Sequence, residues 1–150
     1  MRAKYVHTNL IAEDWHRLTK FYTDVFGCIL VPPERDYRGA ELDSATGLKD
    51  AHLTGAHLRL PGWGDNGPTI EIYGYDRHQP HPGTSVNRPG FGHIAFEVDD
   101  VRNARQEVLA NSGEAVGEIV TLATKIGTRV TWCYMTDPEG NIIELQSWSK

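Results

Sequence analysis

The feature that most constrains this chain is that it repeats itself. One stretch begins with residues 5–8, Tyr-Val-His-Thr, which read as a short strand. Asp14 follows where its side-chain oxygen can take an orphan backbone N–H and start a helix. Leu18, Phe21, Tyr22 and Val25 recur at helical spacing. Gly27 then stops the helix, as a residue suited to left-handed backbone angles does. The pattern restarts at Phe91: a strand through His93 and Phe96, a cap at Asp100, an apolar face of Val101, Ala104 and Val108, and a stop at Gly113. His7 to Asp14 and His93 to Asp100 both span 7 residues, and Asp14 to Gly27 and Asp100 to Gly113 both span 13.

Each half continues into three more apolar segments. In the first half these are 28–31, 57–60 and 69–73. In the second they are 116–120, 129–135 and 142–146. Each half therefore reads β-α-β-β-β. His7 to Glu71 is 64 residues and His93 to Glu144 is 51, so the first half carries 13 extra. We place them in 32–55, where 40–48 can form a short helix. One such module leaves a sheet face it cannot bury alone. We therefore expect one domain over 1–150, with modules of about 1–76 and 90–150. The Pro-, His- and Gly-rich link 76–89 should be an exposed loop.

Composition bounds the function. A chain of 150 residues with 39% hydrophobic side chains can bury a core without disulfides. The net charge of −5 and the lack of a Lys/Arg cluster argue against nucleic acid as a partner. Cys28 and Cys133 match no metal or redox spacing and read as buried thiols. No stretch approaches a membrane span, and residues 1–9 hold no apolar signal segment. The expectation is a cytoplasmic protein that does not bind membranes.

The chemistry sits on the first and last strand of each half. His7 and His93 hold matching places on the first strands, and Glu71 and Glu144 on the last. Ile70 and Ile72 flank Glu71, while Ile143 and Leu145 flank Glu144. Strand side chains alternate faces, so both glutamates point away from the layer beneath the helices. A carboxylate there is costly unless paired or metal-bound. Two imidazoles and two carboxylates suit one divalent metal, with Ni, Co or Zn foremost and Mn or Fe next. His57 and Arg59 lie on a strand and could reach a ligand. Asn9 and Gln146 share the inward parity of His7 and Glu144. Trp132 and Tyr134 could line a cavity. His16, His52, His78 and His81 read as helix-surface or loop residues.

The paired modules, the run F-G-H-I-A-F-E-V-D-D at 91–100 and the run D-P-E-G-N-I-I-E-L at 137–145 resemble the vicinal oxygen chelate superfamily, the glyoxalase/bleomycin resistance/dioxygenase group. That resemblance implies an α+β fold whose modules form a cupped, incomplete mixed-sheet barrel around a metal site. It carries His7, Glu71, His93 and Glu144 over as metal ligands, with Glu144 and Glu71 as the acid–base groups. A four-ligand set of this kind is similar to glyoxalase I, lactoylglutathione lyase. The implied activity is a lyase or isomerase step by metal-stabilised enediolate proton transfer. The alternatives are an epimerase like methylmalonyl-CoA epimerase, an Fe(II) ring-cleaving dioxygenase, and a non-catalytic protein that binds a small molecule or antibiotic. The proposed substrate contacts are Asn9, His57, Arg59, Trp132 and Gln146, and the resemblance implies a homodimer.

Overall fold

A computed structural model describes residues Met1–Lys150, which divide into two compact units, Met1–Pro80 and His81–Lys150. The first unit runs β1 (His7–Ile11), α1 (Trp15–Phe26), β2 (Ile29–Arg38), α2 (Ala40–Thr46), β3 (His52–Arg59) and β4 (Thr69–Tyr75). The second runs β5 (Ile94–Glu97), α3 (Val101–Ala110), β6 (Val120–Ala123), β7 (Arg129–Thr136) and β8 (Ile142–Ser149). Their sheets have the same order, β1-β4-β3-β2 and β5-β8-β7-β6. In each, the first strand pairs parallel with the last and the other pairings are antiparallel. The duplication read from the sequence is thus a duplication of topology. Each unit is a four-stranded mixed sheet carrying a helix, an α+β arrangement, and neither sheet closes into a barrel.

The helices form where the caps put them. Asp14 Oδ1 accepts from the backbone N–H of Arg17 at 3.0 Å, and Asp100 Oδ1 from that of Asn103 at 2.8 Å. Each bond satisfies an N–H that the first helical turn leaves orphaned. Gly27 ends α1 with φ 65°, the left-handed geometry expected of it. Leu18, Phe21 and Tyr22 are buried between α1 and strands β3 and β4. Under α3, Val101 and Val108 do the same against β7 and β8. On the facing strands Ile70, Ile72, Ile143 and Leu145 are buried. Each such side chain stabilises by about 1.5–3 kcal/mol.

Several local expectations need correction. Gly113 does not stop α3. The helix ends at Ala110, Asn111 is its cap and Ser112 takes the positive φ of 69°. Gly113 is needed for a different reason: a Cβ there would lie 2.4 Å from Thr136 O and 2.5 Å from Val108 Cγ1. The segment 116–120 is not a strand over its length. Ala115 makes one bridge to Met135, and β6 begins only at Val120. His93 stands one residue before β5. His52 opens β3 instead of lying in a loop. Strand β2 passes through Pro32 and Pro33 to Arg38, where the sequence pointed to a stop at residue 31. It can do so because β2 is an edge strand and its register against β3 shifts between Val31 and Arg35. Prolines lack the N–H a central strand must donate, and edges with bulges tolerate them. The extra residues of the first half form the end of β2, α2 and the turn into β3.

Cys28 and Cys133 are both free and buried. No helix is long and apolar enough to cross a membrane.

Candidate metal centre

The first unit arranges its polar groups in register rows on one face of the sheet. Asn9, Glu71 and His57 are direct partners across β1, β4 and β3. Glu71 points opposite to the buried Ile70 and Ile72, as alternation requires. Its side chain is 13% exposed, against 44% for His7. His7 Nδ1 lies 3.4 Å from Glu71 Oε1, and His57 Nε2 lies 3.1 Å from the same oxygen. His57 Nε2 is also 2.6 Å from the hydroxyl of Tyr73. The Asn9 amide donates to the Glu71 backbone carbonyl at 3.4 Å. Arg59, two residues beyond His57, is held by Asp65.

The second unit builds the counterpart. Glu144 lies opposite to the buried Ile143 and Leu145, with its side chain 17% exposed. His93 Nε2 is 3.2 Å from Glu144 Oε2. Tyr134 is the cross-strand partner of Glu144, so it holds the place that His57 holds beside Glu71. The His93 ring centroid is 5.0 Å from that of Tyr134, and Trp132 packs edge-on to Tyr134 at 4.9 Å. Trp132 and Gln146 are partners one row further along.

Burial and the carboxylates shape the titration of these neighbours. Burial lowers the His57 pKa below its ordinary value, with Glu71 acting in the opposite sense. Tyr73 is pushed up to about 12 by burial first and by the Glu71 charge second. Burial and then Glu144 raise Tyr134. Both tyrosines therefore keep their protons near neutral pH.

The structure thus pairs His7 with Glu71 and His93 with Glu144. No group of three or more His, Cys, Asp or Glu side chains surrounds a common point. In the first unit His7 and His57 converge on one carboxylate oxygen, so that oxygen occupies the centre of the cluster. The donor chemistry nonetheless fits a divalent metal. The first unit offers two imidazoles and the second one, each beside a shielded carboxylate, and imidazole with carboxylate suits borderline and hard divalent ions. Tyr73 escaped the sequence reading. Its signal was present: it lies two residues beyond Glu71 on the same strand, and hence on the same face.

The fold agrees with the family comparison. The model of the Glyoxalase/Bleomycin resistance protein/Dioxygenase superfamily matches residues 4–145, and the chain belongs to that superfamily. Among named relatives, it is 28% identical over 145 residues to a probable lactoylglutathione lyase of Vibrio parahaemolyticus, covering 95% of this chain and 88% of that one. Among solved structures, a glyoxalase family protein from Bacillus cereus matches with a TM-score of 0.82 at 21% identity, covering 100% of this chain and 97% of that one. The fosfomycin resistance protein FosX from Listeria monocytogenes matches with a TM-score of 0.61 at 18% identity, covering 100% and 94%. At these identities the structural matches speak for the fold.

Proposed function

We propose that this chain is a divalent-metal-dependent lyase of the glyoxalase I kind, acting on a 2-oxo-derived adduct such as a hemithioacetal. His7 and Glu71 from one module, and His93 and Glu144 from the other, are the proposed ligands. The observation that carries this reading is the repeated pair: in both units an imidazole reaches a shielded mid-strand glutamate at 3.2–3.4 Å. The relative named as a probable lactoylglutathione lyase supports it.

A divalent cation, when bound, supplies Lewis acidity toward adjacent substrate oxygens. The chain's own groups do the rest. Glu144 and Glu71 are the acid–base carboxylates that take the carbon-bound proton and return it to the neighbouring carbon. Tyr134 faces Glu144 from the neighbouring strand, and His57 stands in the matching place beside Glu71. Asn9, Arg59, Trp132 and Gln146 share the face of the glutamates and are the proposed substrate contacts. Pairing of two chains belongs to the proposal, and light scattering reads it directly.

The test is metal content first and turnover second. Wild type should hold about one equivalent of metal, and a His7→Ala, His93→Ala double variant should lose it. Isomerisation of a 2-oxoaldehyde hemithioacetal should fall by about 10²–10⁴ in Glu144→Gln, the scale of general acid–base assistance. If no metal binds after reconstitution with Ni, Co, Zn, Mn or Fe(II), the lyase proposal fails. Tight metal-independent binding of a small molecule would then put a sequestering or resistance role first.

A further inference from the structure

The first module carries a second polar cluster, away from Glu71, built around His52. The ring of His52 is gripped on both sides. Nδ1 lies 2.8 Å from Asp76 Oδ2, just past the end of β4. Nε2 lies 3.0 Å from Asp36 Oδ1 on β2 and 2.9 Å from Arg38 Nη2 on the same strand. Arg38 Nη2 is also 3.3 Å from Asp36 Oδ1. Because the two carboxylates take opposite ring nitrogens, they do not converge on one point, and the cluster is not a metal site.

The contacts at Nε2 exclude one another. A carboxylate needs a proton on that nitrogen, whereas a guanidinium needs a lone pair there. When His52 is charged, Nε2–H donates to Asp36, and Arg38 pairs with Asp36. When His52 is neutral with its proton on Nδ1, Nδ1–H still donates to Asp76, but Nε2 accepts from Arg38 and releases Asp36. Every state is satisfied, by different partners.

These partners lie at both ends of the excursion 39–51, which carries α2. Its departure is at Arg38, and its return ends beside His52. The return leg is held by Asp43, whose carboxylate accepts from the backbone N–H of Asp50 at 2.9 Å and of Ala51 at 2.8 Å. Arg77 donates to the carbonyl of Lys49 at 2.8 Å and to that of Asp50 at 3.3 Å. The departing leg has no such ties beyond the Asp36–Arg38–His52 set and its ladder with β3. Next to the return leg is a cavity of about 330 Å³ whose wall includes Leu48, His52, Tyr75 and Arg77.

We propose that His52 is a proton-operated partner switch at the departing end of the 39–51 excursion: when charged it holds Asp36 through Nε2–H, and when neutral it lets Asp36 go and takes Arg38 in its place. The charged and titratable groups around the ring are Asp36 and Arg38 from β2, Lys49 and Asp50 from the turn before β3, and Tyr75, Asp76, Arg77 and His78 from the end of β4. The hydrogen bond to Asp76 first, and that to Asp36 second, raise the His52 pKa above its ordinary 6.5. The same bond to His52 lowers Asp36. A group raised in the folded state contributes fully below its unfolded value and loses that contribution as pH rises through its folded value. His52 therefore holds Asp36 on the acid side of its titration and Arg38 on the alkaline side.

The test uses the full chain. Side-chain nitrogen NMR spectra across pH, with the His52 signal assigned by its loss in His52→Gln, should show His52 titrating above its ordinary value. Asp76→Asn should lower that value most, and Asp36→Asn less. The Asp36 carboxyl and Arg38 guanidinium resonances should both shift with the His52 midpoint, with β8 resonances unchanged. A wild-type His52 that titrates at or below its ordinary value overturns the proposal without any variant. So do a titration unmoved by both Asn variants and Asp36 and Arg38 side-chain resonances that do not follow the His52 midpoint.

Discussion

Consider replacing Gly55 by alanine. Gly55 lies on β3 directly across from Tyr73 and two residues before His57. An added Cβ would sit 2.1 Å from the carbonyl oxygen of Ile72, 2.4 Å from Tyr73 Cδ1 and 2.9 Å from Tyr73 Cα. Two of those three atoms are backbone, so a side-chain rotation does not clear the clash. Ordinary contact between heavy atoms needs about 3.5 Å, so β4 must retreat from β3 by roughly 1 Å. Overpacking of this kind costs about 1–3 kcal/mol, and the backbone clash puts Gly55→Ala at the upper end. For a chain of this length, about 3 kcal/mol lowers the melting temperature by about 6–12 °C. The strand displaced carries Glu71 and Tyr73, so the 2.6 Å contact between Tyr73 and His57 should loosen as well. Urea unfolding followed by tryptophan fluorescence reads the stability, and the His57 ring resonance reads the contact. Gly117→Ala is the control: it has open space around it and no positive φ, and should stay within about 0.5 kcal/mol of wild type. If Gly55→Ala matched that control, β3 and β4 would not approach as closely at Gly55 as these distances require.

Other expectations follow from the same geometry. Leu145→Ala empties a fully buried site beside Glu144 and should cost about 2–5 kcal/mol by denaturant unfolding. Asp14→Ala removes the bond to the Arg17 N–H and should cost about 0.5–2 kcal/mol, whereas Asp14→Asn or Asp14→Ser should restore most of it. Burial pushes Cys28 up to about 12 from 9.0 and Tyr73 up to about 12 from 10.0. Above about pH 9 the unfolded chain therefore binds fewer protons than the folded one, so the urea midpoint should fall as pH rises from 9 toward 12. For the same reason Cys28 should react with a thiol reagent at pH 8 only after denaturant is added.

Much of the architecture is legible in the sequence, and the reason is locality. Asp14 with Arg17 and Asp100 with Asn103 are contacts over three residues, and a helix face repeats within four. Alternation along β4 and β8 placed Glu71 and Glu144 away from their buried neighbours, because strand period is a property of the chain itself. Repeating those local signs at equal spacing was enough to reveal two copies of one module. Local signs misled at Gly113, where glycine at a helix end suggested left-handed backbone. The true demand there is steric, from Val108 on the helix and from Thr136, far along the chain.

Whatever depends on register across strands was hidden. The sequence shows Glu71, His57 and Tyr73 as residues on two strands. Only the pairing of β3 with β4 brings a single carboxylate oxygen, an imidazole and a phenol into one chain of contacts. His52 looked like a loop residue because Asp36 and Asp76 are 16 and 24 residues away. By itself, then, the sequence determined the modules, their caps and the faces that bury or expose each strand residue, since these follow from backbone period and near-neighbour hydrogen bonds. The tertiary structure alone decided which polar groups meet, because a sheet joins residues by register, and register is settled only when the apolar faces of whole strands and helices have packed.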